Sequence, residues 1–253
     1  MPDAYQPDWD IYTCHIEDKP AIIGLDLGLR RFAPLGRKPY SVFISVYLKQ
    51  PRPDGFPHGE EFSMLGVIED WLVQALETSL HAHFVGRTMS DGVRDFYFYT
   101  SDVQDYEQHI ANAMAKFPDY RYECGMKEDK TWELYFDYLF PDVQEFQRIQ
   151  NRKVLRTLKQ HGDIAERERL IDHWIYFSAE AEREVFGQQV QRLGFAIDAR
   201  PVDEKGPQPY GLKLSRTDRT DEESIDTAVM ILWELAQEVN ARYDGWETTI
   251  VAQ

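Results

Sequence analysis

Cysteine is scarce in this chain: Cys14 and Cys124 are the only two in 253 residues. With no CxxC spacing and no further thiols, they argue against a disulfide framework and against a thiolate metal cage. Long apolar runs are lacking as well. No stretch approaches the roughly 20 residues that a membrane-spanning helix needs. The opening MPDAYQPDWD has neither the basic nor the apolar region of a secretory signal. Basic charge is the third shortage. Lys and Arg number 28 against 44 Asp and Glu, a formal net charge of −16. Such a field repels phosphate backbones and favours a basic protein partner. The expectation is a cytoplasmic protein with reduced thiols that contacts neither nucleic acid nor membrane directly.

Motifs of catalysis are missing too. There is no nucleophile elbow, Walker loop or zinc spacing, and the glycines of GLDLGL lack the strand–loop–helix setting of a phosphate cradle. His81 and His83 stand two apart on a strand expected over HAHFVGRTM, so they would share a face and could meet one metal. Spacing places no third ligand beside them. The alternative function, an enzyme or metal-dependent module in the N-terminal region, rests on that pair. Cys14 and His15 are adjacent on a strand and point to opposite faces, which disfavours a nucleophile pair. The aromatic run FYFYT, Phe96 to Thr100, suits core packing in so acidic a chain better than base stacking. Neither enzyme activity, cofactor nor metal is expected.

What is present is the material of two cores: 43% hydrophobic residues, 13% aromatic, and a length above the usual single domain. WDIYTCHI and AIIGLDLGL read as paired strands, SVFISVYL as a buried strand, and Glu61 to Ser79 as a helix with Leu65, Ile68, Leu72 and Leu76 on one stripe. Ser90-Asp91-Gly92 marks a hairpin, Ser101 to Gln104 a capping-box helix start, and RYECGMK with TWELYFDYLF a closing hairpin. A helix from about Pro141 to Gln160 carries the one basic cluster, RIQNRKVLRTLK.

After Gly162 the order is clearer. LIDHWIYF is a strand, and Ala179 to Leu193 a helix with Ala181, Val185, Phe186, Val190 and Leu193 inward. FAIDARPV follows as a strand, DEKGPQ as a turn and YGLKLSRT as another strand. A helix capped from Thr220 comes next, and WETTIV closes the chain. This β-α-β-β-α-β order is that of a ferredoxin-like plait. Residues 41 to 127 repeat it. The fold expected is therefore α+β: two ferredoxin-like (βαββαβ) antiparallel plaits, the N-terminal one with extra hairpin strands, joined by a helix. Residues 1–140 would form one domain, and 141–253 a linking helix with the second plait.

Within the later half, GD after a helix, then IDHWIYFSAE, RLGFAIDARPVDE and YDGWETTIV, resemble the ribonuclease E regulator B (RraB) family over roughly residues 150 to 251. The earlier half, with IEDWLVQAL before VGRTMSDGVRDFYFYT, resembles a domain family of unassigned function found fused to it. The resemblance implies a ferredoxin-like, non-catalytic protein that binds and inhibits ribonuclease E. It marks Tyr243, Asp244, Gly245, Trp246 and His173 as motif residues, Trp246 packing over the end of the last helix. Acidic residues at the start of that helix, Asp221, Glu222 and Glu223, are candidate contacts with a basic partner. Family members commonly have Gly where this chain has Glu247, and a long acidic tail where it ends at Gln253; the acidic N-terminal domain is expected to supply that charge.

Overall fold

The structure, a computed structural model, describes residues 5–203 and 206–252. The chain divides after Asp142 into two compact units. None of the described helices is long and apolar enough to cross a membrane.

The first unit is a six-stranded antiparallel sheet. A hairpin, β1 (Trp9–Ile16) and β2 (Lys19–Asp26), precedes β3 (Tyr40–Tyr47), helix α1 (Gly59–Leu80), β4 (His83–Ser90), β5 (Val93–Thr100), helix α2 (Tyr106–Met114) and β6 (Tyr122–Glu128). The strands lie in the order β1-β2-β4-β5-β3-β6. From β3 onward this is the ferredoxin-like arrangement, with the first and third strands of βαββαβ central. The leading hairpin extends it beyond β4. Asp91 and Gly92, at φ 45° and 79°, supply the positive φ that a tight β4–β5 connection requires.

One face of the sheet packs Val42, Ile44, Phe96 and Phe98 against Leu65, Ile68, Leu72 and Leu76 of α1 and Ile110 of α2. The other face carries a correction. TWELYFDYLF forms no hairpin strand; residues 134–139 are a π-helical segment. Asp129 starts it by accepting hydrogen bonds from the Glu133 and Leu134 amides at 2.8 and 3.0 Å. Trp132, Tyr135 and Leu139, fully buried, fall at helical spacing. Trp132 stacks on Tyr99 at 3.9 Å between ring centres, and Tyr138 meets Tyr97 edge-on. The run FYFYT is thus buried on both faces, as a central strand requires. The capping box read at Ser101–Gln104 is also not used: α2 begins after Asp105, which lies in the left-handed region.

The second unit opens with α3 (Val143–Gln160), followed by β7 (Arg169–Phe177), α4 (Glu180–Arg192), β8 (Ala196–Ala199), β9 (Tyr210–Asp218), α5 (Glu222–Glu238) and β10 (Arg242–Thr248). Strand order β10-β7-β9-β8 is again ferredoxin-like, all pairs antiparallel. Its core joins Ile171, Ile175 and Phe177 of β7 and Leu212 and Leu214 of β9 to Phe186, Val190, Val229 and Leu232. On α4 only part of the expected inward set is buried. Ala181, Val185 and Leu193 are exposed, and Arg183 takes the inner position one turn before Phe186 and Gly187. Asp221, not Thr220, caps α5, its carboxylate accepting from the Ser224 amide at 2.9 Å. The turn read at Asp203–Gln208 includes Glu204 and Lys205, which lie outside the described residues.

Candidate functional site

The histidine pair of the first unit does not share a strand face. His81 is not on a strand: it ends α1 in the left-handed conformation, φ 49°. His83 lies at the start of β4, against the edge of the Tyr5 ring. Burial pushes its pKa down to about 4, only partly opposed by Asp26. No group of three or more His, Cys, Asp or Glu among the described residues is placed to hold a metal. Cys14 and Cys124 sit on β1 and β6, the two opposite edges of the sheet, and so cannot pair with each other.

In the second unit the motif Tyr243-Asp244-Gly245-Trp246 lies inside β10, not in the turn before it. The turn is made by Asn240, at φ 52°, just after α5. Along β10 the register is Tyr243 to Ile175, Gly245 to Trp174 and Trp246 to His173, with Asp244 as an extra residue. Side chains alternate along a strand, so residues three apart should face opposite ways. The bulge at Asp244 breaks that alternation and turns both Tyr243 and Trp246 into the core. Gly245 sits at φ 132°, where only glycine is at ease.

His173, fully buried, lies on the core face of β7 between Ile171 and Ile175. Its Nδ1 is 2.9 Å from the Tyr243 hydroxyl, while Nε2 has no partner. Burial, with the Arg216 charge adding to it, pushes its pKa down to about 3, so the imidazole is neutral. The Trp246 indole donates to Asn151 Oδ1 on α3 at 3.2 Å, and Asn151 in turn donates to Asp226 of α5 at 2.7 Å. Asn151 is 1% exposed. Trp246 therefore docks α3 onto the plait, a partner that the sequence pattern had not indicated. These residues are internal framework, and of the motif Asp244 is exposed, paired with Arg242.

The candidate contact acids stand elsewhere. Asp221 is occupied as the α5 cap; hydrogen bonding from Ser224 outweighs burial and holds its carboxyl below the usual range. Glu222 and Glu223 are exposed. Glu222 faces Arg152 of α3 at 4.0 Å, and a groove of about 500 Å³ beside it is lined by Asp221, Glu222, Arg156 and Lys159. The basic helix and the acidic helix start are neighbours, and each reduces the other's field.

Further surface chemistry lies on the sheet face opposite the core. Alternation on β7 sends Asp172, Trp174 and Tyr176 there. Lys213 pairs with Asp172 at 2.6 Å and lies over the Trp174 ring. Arg242 lies over Tyr176, and the Trp174 indole donates to Glu247 at 3.4 Å. Such aromatic and charged groups on a sheet face suit protein recognition.

Residues 7–140 match a family of unknown function, DUF695. The chain belongs to that family. Behind the DUF695 region, residues 148–248 match regulator of ribonuclease activity B. That second match spans α3 from Arg148, both helices of the second plait and all four of its strands, so the bulge, His173, Asn151 and the acidic α5 start fall inside it. No curated protein matches the chain. Among solved structures, one assigned as a glycine cleavage system transcriptional repressor shares 7% identity, covering 83% of this chain and 98% of its own, at a TM-score of 0.27. An unknown protein from Galdieria sulphuraria shares 12%, with the same coverages and a TM-score of 0.23. Scores this low bear on neither fold nor function.

Proposed function

We propose that this DUF695 family member is a non-catalytic, protein-binding regulator that inhibits ribonuclease E or a related RNA-processing enzyme in the cytoplasm. Its regulator would be the domain of residues 141–253, preceded by the domain of residues 1–140. The observation that carries the reading is the match of residues 148–248 to regulator of ribonuclease activity B over a complete plait. An acidic chain of net charge −16 is steered toward basic protein segments and away from RNA itself. Glu222 and Glu223 at the α5 start, with Glu247 and Asp244 along β10, offer exposed carboxylates for that contact. Occlusion of a basic surface of the enzyme would then slow RNA cleavage without any chemistry by the inhibitor.

Cleavage of a short RNA by purified ribonuclease E, titrated with the full-length chain, tests this. Dose-dependent slowing, relieved by added salt, is expected. Charge reversal of two exposed carboxylates, Glu222→Lys with Glu223→Lys, should weaken inhibition several-fold at low ionic strength. Cleavage left unchanged by saturating chain would overturn the reading.

A further inference from the structure

The leading hairpin of the first unit extends the sheet past the cover of α1 and leaves a groove on the helix side. This cavity, of about 580 Å³, lies within the range of small organic ligand sites. Its apolar lining comes from Ile11 of β1, Ile22 of β2, Met89 of β4, and Phe56 and Phe62 at the approach to α1 and on its first turns. Two of these are notably exposed, Ile11 at 52% and Phe62 at 59%. Apolar groups left open along one groove mark a surface that something apolar covers.

Against this wall stand two arginines. Arg94 of β5 lines the groove and is 6% exposed. Arg87 of β4 lies over Gly24, where a Cβ would come within 3.1 Å of its guanidinium carbon. Both pair with a single carboxylate, Glu69 of α1: Arg87 at 3.0 Å, and Arg94 through its Nη2. Arg94 Nε has no hydrogen-bond partner. At the rim Arg52 is matched by Asp54 at 2.6 Å. Two guanidiniums against one carboxylate leave one net positive charge inside a chain whose overall charge is strongly negative. Burying cationic donors incompletely compensated is costly, and a ligand acceptor relieves that cost.

We propose that this groove binds an apolar organic acid with a single carboxylate, its head on Arg94 and Arg87 and its chain along Ile11, Ile22 and Met89. One residual positive charge suits a monoanion. A dianionic phosphate would leave an uncompensated negative charge beside Glu69 and in the field of the acidic chain.

Titration calorimetry of the full-length chain with decanoate, decanol and decyl phosphate tests the assignment. Decanoate should bind one to one. Decanol, which keeps the chain and lacks the charge, should bind at least about tenfold more weakly, the effect of losing a charge-assisted hydrogen bond. R94Q should weaken decanoate by a similar factor. Should R94Q fail to fold, I11E decides the matter, because it sets a carboxylate in the groove from an exposed strand position and should abolish binding. No decanoate binding at millimolar concentration, equal binding of decanol, tighter binding of decyl phosphate, or full binding by I11E would each overturn the proposal.

Discussion

Asp163 offers the sharpest test of how the second unit is held together. It follows the Gly162 helix stop, and its side chain is 3% exposed. One oxygen accepts from the Val251 amide at 2.8 Å and pairs with Arg169; the other accepts from the Thr220 hydroxyl at 2.9 Å. One carboxylate thus ties the end of α3, the start of β7, the approach to α5 and the segment after β10. Asp163→Ala removes all three partners and leaves Arg169, 5% exposed at its side chain, as a buried charge. Breaking such a pair costs about 3–5 kcal/mol. Arg169 keeps carbonyl acceptors at Arg167, at 2.9 and 3.1 Å, which argues for the lower end, about 3 kcal/mol. Asp163→Asn keeps the shape and one acceptor, and should cost about 1.5–3 kcal/mol.

Urea unfolding of the full chain, followed by tryptophan fluorescence, reads the loss as a lower midpoint at unchanged slope. The pH dependence gives a second handle. Burial opposes ionisation of Asp163, but hydrogen bonds from Val251, Arg169 and Thr220 outweigh it and hold the carboxyl below its ordinary 3.8. A depressed carboxyl stabilises fully above its unfolded value and loses that increment as pH falls through the folded one. The gap between wild type and Asp163→Asn should therefore hold from neutrality down to about pH 4 and close only below it. A loss under about 1 kcal/mol for Asp163→Ala would refute the reasoning, since that is the range of an exposed pair.

Gly245→Ala should destabilise by about 1–3 kcal/mol through backbone strain alone, because no atom lies within 4 Å of where its Cβ would stand; a neutral result in thermal unfolding would contradict the bulge. His173 has a folded pKa pushed down to about 3 by burial. The unfolded chain therefore binds more protons, and stability should fall as pH drops below about 6.5, at up to about 1.4 kcal/mol per pH unit. His173→Gln should flatten that slope between pH 6.5 and 4, measured as unfolding free energy across the range; an unchanged slope would show that His173 does not titrate as its burial requires.

Much of the architecture was legible because each plait repeats simple periods. Leu65, Ile68, Leu72 and Leu76 at helical spacing are all fully buried on α1, and alternation along IDHWIYF separates core from surface on β7. The misreadings have local causes. Trp132, Tyr135 and Leu139 have helical spacing, yet their β-prone aromatic neighbours suggested a strand. His81 looked like a strand residue because nothing in HAH announces a left-handed helix end. Val185 and Leu193 are apolar and near the helical stripe, but the buried face of α4 is taken by Arg183, Phe186, Gly187 and Val190.

By itself the sequence determined the two βαββαβ orders, the acidic field and the family resemblance, since these depend on composition, local period and motif spacing. Tertiary structure alone decided what the motif residues do. Tyr243 and Trp246 share a face only because an extra residue at Asp244 rotates the strand between them, and pairing register is not written in a single strand. Asn151, polar on a helix of mostly polar residues, became a buried anchor only when the Trp246 indole and Asp226 were brought to it. Likewise Arg87 and Arg94 converge on Glu69 because adjacent strands pass beneath one helix, an arrangement set by packing between segments far apart in the chain.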